Sequence, residues 1–234
     1  MPLNTLSLHR PITSYARVQG WIGHLIRNRR GQLRHPRVAA GRYLDLGCGP
    51  NTHVEFVNLD YLWRPGVDVC WDVSRGLPFA DGTFLGVFSE HCLEHFPLPA
   101  AMVLLREVRR VLAPGGRLRL VVPDAELYLR TYARQVEGDD SRRFPYQDDE
   151  CRSALWTPVL SVNRVFYQDR ESLHGHRTMF DFQLLERVLL DCGFSDVQRQ
   201  AFRRGADTRL LIDTPTREVE SLYVEAGVAA SAPT

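Results

Sequence analysis

The sequence predicts a doubly wound α/β fold on a mainly parallel sheet, and three observations carry that expectation. Short apolar runs recur between residues 43 and 122, and three successive ones end at or beside an acid: Asp45, Asp60 and Asp72. The first run passes directly into Gly47-Cys48-Gly49-Pro50-Asn51, a turn suited to positive φ and to close approach of backbone to a ligand. The third observation is a segment from residue 98 to 112 whose apolar positions Ala101, Leu104, Leu105, Val108, Val111 and Leu112 repeat at helical spacing, as a helix laid on a sheet requires. Acids at the carboxyl ends of parallel strands lie where open α/β sheets bind ligands.

Taken in order, residues 13–30 place Tyr15, Val18, Trp21, Ile22, Leu25 and Ile26 at helical spacing, which predicts an amphipathic helix. Residues 1–38 are read as an N-terminal arm, either lidding the ligand pocket or packed on the sheet edge. The second strand is expected at 56–60, and only Thr52 to Glu55 separate it from the glycine turn. A parallel crossover ordinarily takes about a dozen residues, so the intervening helix is a single turn or the pairing differs. A third strand is expected at 67–72 and a fourth at 84–89, which runs into Glu90-His91-Cys92-Leu93-Glu94-His95. Pro99 suits the first turn of the following helix, Ala113-Pro114-Gly115-Gly116 closes it, and a fifth strand should cover 117–122.

Residues 125–173 mix charged stretches with Tyr128, Tyr132, Phe144, Tyr146, Trp156, Phe166 and Tyr167, too aromatic for simple disorder. They are read as an insertion of helices and loops over the pocket. Thr178-Met-Phe-Asp181 reads as a capping box for a helix carrying Phe182, Leu185, Val188, Leu189 and Cys192, with Gly193 just past its end. Residues 194–202 and 207–213 are expected to form an antiparallel pair, and residues 226–234 a disordered tail; 39–225 would be the main domain.

Composition bounds the function. The 234 residues, 44% of them hydrophobic, can bury a substantial core, and no run of 18 apolar residues occurs. The start lacks the charged head and long apolar run of a secretory signal; the expectation is a soluble, cytoplasmic protein. Five scattered cysteines (48, 70, 92, 151, 192) without a Cys-x-x-Cys pair argue against a disulfide framework and a zinc ribbon. All 29 basic residues are arginine, which excludes lysine Schiff-base or lysine-nucleophile chemistry. Residues 1–44 hold eight arginines and no acid, leaving 21 arginines against 28 acids in the remainder. The arm either touches phosphate or covers the acidic body as a solvated helix.

The glycine turn does not fit a dinucleotide fingerprint. Thr52 stands where the third glycine would be, and Asp60 follows Gly49 by eleven residues, whereas a ribose acid in such a unit comes about 20 residues on. The run Leu46-Gly47-Cys48-Gly49-Pro50-Asn51, followed by Asn58-Leu59-Asp60-Tyr61 and Ser89-Glu90-His91-Cys92-Leu93-Glu94-His95, resembles class I S-adenosylmethionine-dependent methyltransferases. The likeness is to a small bacterial, type 11-like group. It is strong over about 40–125 and loose over about 174–225.

The resemblance implies a mainly parallel seven-stranded Rossmann-like sheet and S-adenosylmethionine as cofactor, with S-adenosylhomocysteine as product. It implies cofactor contacts from Asp45, Gly47, Cys48, Gly49 and Asn51, from Asp60 and Tyr61, from Asp72 and Val73, and from Ser89 and Glu90. His91 faces the place of methyl transfer and is the candidate base, because an imidazole with a pKa near ~6.5 exchanges protons at neutral pH. His95 is either a second catalytic group or a hydrogen-bonded core histidine. His174-Gly175-His176-Arg177 offers His176 as a catalytic candidate and His174 and Arg177 as substrate contacts, or else a plain surface loop. Asp124 and Tyr128 stand where relatives contact substrate, Asp124 equally serving as a helix N-cap.

His91-x-x-Glu94-His95 also matches the pattern of inverted zinc peptidases. Zinc requires a third protein ligand and a helix for that motif, and no metal is expected. The predicted reaction is methyl transfer to an oxygen or nitrogen of a small molecule, such as a sugar, a polysaccharide precursor or a secondary metabolite. A homodimer is allowed for and no membrane partner is expected. Two rivals stand beside this: a nucleic-acid methyltransferase gripping phosphate with the basic arm, which lacks the Asn/Asp-Pro-Pro-aromatic motif after strand four, and a non-catalytic cofactor-binding protein.

Overall fold

The computed structural model describes residues 14–147, 155–166 and 175–230, with side chains from residue 18 onward. Seven strands form one sheet in the order β3-β2-β1-β4-β5-β7-β6. They are β1 (Tyr43–Leu46), β2 (Val57–Asp60), β3 (Val69–Cys70), β4 (Phe84–Glu90), β5 (Leu112–Pro123), β6 (Ser195–Gln200) and β7 (Ser221–Gly227). β1 to β5 pair in parallel, whereas β7 is antiparallel to both β5 and β6. The strand order reverses between β1 and β4, so the carboxyl ends of these two strands flank the crevice where such sheets place ligands.

Alternation along the strands sorts the residues onto two unlike faces. Leu44, Leu46, Val57, Leu59, Val87, Leu118, Leu120, Val122, Leu222 and Val224 share one apolar core with helices α3 (Leu98–Val111) and α6 (Phe182–Asp191). The other face carries Tyr43, Asp45, Asn58, Phe88, Glu90, Arg119, Tyr223 and Glu225. It is covered by an irregular segment, residues 201–217, whose Leu210, Phe202 and Ile212 pack on Tyr43, Phe88 and Tyr223. Ion pairing fixes that segment: Arg119, fully buried, bonds Asp213 through Nε at 2.7 Å and Nη2 at 2.6 Å, and reaches Glu225 at 3.2 Å.

Several elements differ from expectation, each for a local reason. No helix separates β1 from β2. The chain turns through residues 47–56, yet β1 and β2 pair in parallel with Leu44 opposite Val57. Residues 207–213 are not a strand but carry a short 3-10 turn, Thr208–Leu210. Their apolar run faces inward because the segment lids the sheet; the partner of β6 is β7, whose charged Glu225 masked its alternation. The expected tail starts later than residue 226, since Gly227 ends β7 and Val228 exchanges backbone hydrogen bonds with Gly115 and Gly116. Asp181, not Thr178, caps α6, its carboxylate accepting from the Leu184 N–H, while Thr178 donates to the Phe96 carbonyl. Gly193 has the positive φ expected of it, 86°.

The arm comprises α1 (Ser14–Ile26), a 3-10 turn at Arg30–Arg34 and α2 (Pro36–Ala40). Val18, Trp21 and Leu25 are exposed rather than buried, so the apolar spacing of α1 marks no core face. Its carboxyl end is what docks. Asn28, at φ 63°, donates its N–H to the Cys70 carbonyl and accepts the Asp72 N–H on its side chain, and Gln32 brackets Cys70 from both sides. In the region read as an insertion, α4 (Ala125–Val136) and α5 (Pro158–Phe166) build a small core of their own around Ala125, Tyr128, Phe144 and Phe166.

Candidate functional site

At the end of β1 the chain turns through Gly47, at φ 75°, and Gly49, at φ 55°. The two glycines are needed for different reasons. A Cβ on Gly47 would stand 2.5 Å from Cys92 Sγ, whereas one on Gly49 would meet nothing within 4 Å, so Gly49 leaves bare backbone facing the cavity. The N–H groups of this turn are not directed at a ligand, contrary to expectation. Gly47 and Cys48 both donate to the Leu59 carbonyl and Gly49 donates to Asp60. With the intervening helix absent, β2 itself satisfies the turn.

Asp60 thereby becomes a bracket, its two oxygens accepting from the Gly49 N–H at 2.9 Å and the Leu62 N–H at 2.7 Å. A carboxylate has about four acceptor directions, so the bracketed group retains capacity toward the crevice. Asp72 accepts from the Ser74 N–H and hydroxyl. Arg27, just past the end of α1, lies 3.7 Å over the Tyr61 ring and donates to the Tyr61 carbonyl, so the arm buttresses the rim that Tyr61 and Asp72 share. A groove of about 580 Å³ is walled by Gly47, Gly49, Asp60, Tyr61, Asp72 and Val73 among the expected cofactor residues, and by Leu62, Trp71 and Phe96. Asp45, Cys48, Asn51 and Glu90 line a smaller recess of about 130 Å³ on the far side of the same turn.

Ser89 reaches neither space. It is buried and donates to the Leu46 carbonyl, tying β4 to β1 because it lies on the apolar face, while Glu90, one residue on, lies on the other. Glu90 accepts the Thr214 N–H, which anchors the covering segment beside the recess. Burial and the charges of Glu90 and Asp60 raise the Asp45 carboxyl well above its ordinary range. The same burial raises the Cys48 and Cys92 thiols, Cys92 to about 12, which makes both inert as nucleophiles.

His91 leaves β4 at φ 47°, a conformation uncommon outside glycine, and its N–H is held by the Val121 carbonyl. This turn sends its ring to the junction of three cavities: the groove, the recess and a third space of about 330 Å³. His91 Nε2 is 2.9 Å from the Ser221 hydroxyl and Nδ1 is 3.5 Å from Glu94 Oε1. Burial, then Arg217 and the other two histidines, push the imidazole down to about 2, so the ring is neutral.

Glu94 is the residue that sequence reasoning left without a role. Burial pushes its carboxyl up to about 8, and neither oxygen has a hydrogen-bond partner. Backbone N–H groups of Arg177 and Thr178 donate to the Glu94 carbonyl at 2.7 and 3.2 Å, and this clamp brings His176 to 3.8 Å from Glu94 Oε1. His176 is pushed down to about 4 by burial and by His95, whose ring centroid is 5.0 Å away. His95 and His176, separated by 81 positions in the chain, thus meet across a distance no spacing rule conveys. His95 also stands with Nδ1 3.4 Å from the Gly175 carbonyl, as the core-histidine reading allowed, yet it lines both the groove and the third cavity.

Tyr128 borders that third cavity, with its hydroxyl 3.3 Å from Glu220 Oε2. Asp124 does not border any of the three. Its carboxylate caps α4 by accepting from the Glu126 and Leu127 N–H groups and pairs with Arg199 at 2.8 Å, the cap being one of its two readings. Arg177 lines the groove rather than the third cavity, and His174 lies outside the described residues. Arg217 was not foreseen: it borders all three spaces and pairs with Glu220 at 2.6 Å. Its only sequence signal was a position four residues before a strand that could not itself be read.

The methyltransferase domain family profile matches residues 61–120, the stretch from the end of β2 into β5. No curated protein sequence matches the chain. Among solved structures, it is similar to an S-adenosylmethionine-dependent methyltransferase from Thermotoga maritima (17% identity, 91% of this chain and 95% of that one covered, TM-score 0.47). One from Methanosarcina mazei gives 16% identity, coverage of 81% and 92%, and TM-score 0.49. A 1,6-didemethyltoxoflavin N1-methyltransferase from Burkholderia thailandensis, holding its substrate and S-adenosylhomocysteine, gives 15%, coverage of 88% and 76%, and TM-score 0.45. The family match lies across the strands that build the crevice, and the cofactor of the similar enzymes is S-adenosylmethionine.

The residues present fit that cofactor. The groove offers bare backbone at Gly49, apolar walls at Leu62, Val73 and Trp71, and acids at Asp60 and Asp72. Asp60 and Asp72 offer acceptors suited to ribose hydroxyls and an adenine amine, and Arg64, Arg177 and Arg217 line the same groove.

Proposed function

We propose that the enzyme transfers a methyl group to an oxygen or nitrogen of a small molecule seated in the cavity bounded by Tyr128, Tyr146, Arg164 and His176, with His91 between acceptor and cofactor. The observation that carries this reading is the position of His91 at the meeting point of all three spaces. A volume of about 330 Å³ suits a small molecule, since ligand pockets run from ~300 Å³ upward.

In this reading Asp60 and Asp72 hold the ribose and adenine ends, Asp45 and Glu90 face the amino-acid end, and Gly47 and Gly49 floor the groove. The cofactor, when bound, supplies a methyl group already activated by a sulfonium, so the chain's share is alignment and, for a hydroxyl acceptor, relief of its proton. Ser221 and the neighbouring Glu94 fix the His91 ring beside the acceptor space, and this position makes it the base of the reading, although burial leaves it a much weaker base than a free imidazole. Tyr146, Arg164 and the Arg217–Glu220 pair border the acceptor space, which suits an acceptor with an aromatic or polar edge. The small volume of this space supports a small metabolite over a nucleic acid. Arg27 and Arg37 of the basic arm are bonded to Tyr61, to the backbone of residues 53–56 and to Asp68.

The test is turnover on a panel of hydroxylated and amino acceptors, read as S-adenosylhomocysteine release. His91→Ala should lower kcat by about 10²–10⁴, the range for loss of a positioned base, and leave S-adenosylhomocysteine affinity within about threefold, under half of a tenfold step in free energy. Turnover within a few-fold of the native enzyme would remove His91 from the reaction.

A further inference from the structure

We propose that Glu94, His95 and His176 form a binding site for one divalent transition-metal ion of the zinc and cobalt class, opening on the third cavity. One ring nitrogen of each histidine and one Glu94 oxygen lie within 4.8 Å of one another. Ligand atoms around a tetrahedral zinc, at about 2.0–2.2 Å from the metal, stand roughly 3.4 Å apart, so the 3.8 Å between Glu94 Oε1 and His176 Nε2 needs only a small contraction.

An independent observation points to a ligand. Glu94 is 1% exposed, and both of its carboxylate oxygens lack a hydrogen-bond partner, as does the buried Nδ1 of His176. Orphaned buried polar atoms are rare in folded proteins and each costs about 1–3 kcal/mol; a metal ion would satisfy the Glu94 oxygens. The support is preorganised as well. The Arg177 and Thr178 N–H groups clamp the His176 segment to the Glu94 carbonyl, and His95 Nδ1 points at the Gly175 carbonyl. An outer hydrogen bond of that kind orients an imidazole for coordination.

Two imidazoles and one carboxylate suit zinc, cobalt, nickel or iron and not magnesium or calcium, which take oxygen ligands. The His-x-x-Glu-His run thus supplies a metal site with its roles redistributed: Glu94 is a ligand instead of a base, and the third ligand comes from the segment before α6. Three protein ligands leave a coordination position facing the cavity, where an acceptor hydroxyl would bind and lose its proton more readily. That catalytic use rests on the methyl-transfer reading, whereas metal binding itself does not.

The experiment is titration of chelator-treated, tag-free full-length protein with Co²⁺, followed by calorimetry and by the visible d–d bands of bound cobalt. One Co²⁺ per chain is expected, with Zn²⁺ competing and Mg²⁺ not. Glu94→Gln and His176→Ala should each weaken Co²⁺ binding at least about tenfold, the lower bound for disturbing even an outer partner of a metal site. His24→Ala, on the exposed side of α1, should leave it unchanged. S-adenosylhomocysteine affinity, measured on every variant, reports folding and the cofactor reading separately. A Glu94→Gln protein that still binds S-adenosylhomocysteine and still binds Co²⁺ as the native protein does overturns the metal site, as does absence of saturable Co²⁺ uptake by native protein that binds S-adenosylhomocysteine.

Discussion

Gly47 and Gly49 look alike in the sequence, and the structure assigns them different constraints. Alanine at Gly47 meets both a left-handed backbone and the Cys92 sulfur, while alanine at Gly49 meets only the former. Gly47→Ala should therefore destabilise the fold by about 2–4 kcal/mol and Gly49→Ala by about 1 kcal/mol, since an unfavourable backbone well alone costs roughly 1–3 kcal/mol. Urea unfolding measures both. Adding Cys92→Ala should recover part of the Gly47→Ala loss and none of the Gly49→Ala loss; equal recovery in both would show that the sulfur is not the obstacle. The residues at this turn were legible because a strand ending in closely spaced glycines is a local pattern. The contact with Cys92 was not, because it joins positions 45 residues apart.

Among the elements, the arm illustrates how periodicity can mislead. The helix forms where its spacing predicts, yet Val18, Trp21 and Leu25 face outward. Its attachment is made by polar groups just beyond its end. Asn28 closes the helix in the left-handed region, which asparagine tolerates better than most residues, and its amide accepts the Asp72 N–H at 2.8 Å. Asn28→Ala removes that acceptor and strains the turn, so S-adenosylhomocysteine binding should weaken about three- to tenfold, corresponding to roughly 1 kcal/mol for one lost bond at the rim. Asn28→Gly, which keeps the backbone free, should recover part of the loss. Unchanged affinity in Asn28→Ala would mean that the arm does not shape the groove. The capping of α6 makes a related point: Thr178 and Asp181 both satisfy a cap pattern, but the Phe96 carbonyl competes for the threonine.

For the molecule as a whole, the controlling feature is a sheet with one oily face and one polar face. The oily face is covered by α3 and α6, as the helical spacing of residues 98–112 foretold. The polar face is sealed by residues 201–217, held through Arg119, Asp213 and Glu225, and this same segment delivers Thr214 to Glu90 and Arg217 to the cavities. Arg119→Ala leaves two buried carboxylates without their cation and should cost about 3–5 kcal/mol in urea unfolding. Asp213→Asn with Glu225→Gln in that background should regain part of it. A loss under about 1 kcal/mol, the level of an exposed pair, would show that the covering segment is held by its apolar contacts alone.

The sequence by itself determined the parallel strands β1, β2 and β4, the glycine turn, the helix on the apolar face and the acids at the strand ends. These are written in short-range patterns of hydrophobicity and in residues with special backbone requirements. Only the tertiary structure decided the pairing of β6 with β7, the lid over the polar face and the meeting of Glu94 with His95 and His176. Charged residues interrupt the alternation of β5 and β7 because each is neutralised by a partner about 80–110 positions away. The ligand cluster, likewise, is closed by two backbone hydrogen bonds from residues 177 and 178 to residue 94. Burial of a charge and convergence of distant side chains depend on which surfaces the folded chain brings together, and no local spacing encodes that.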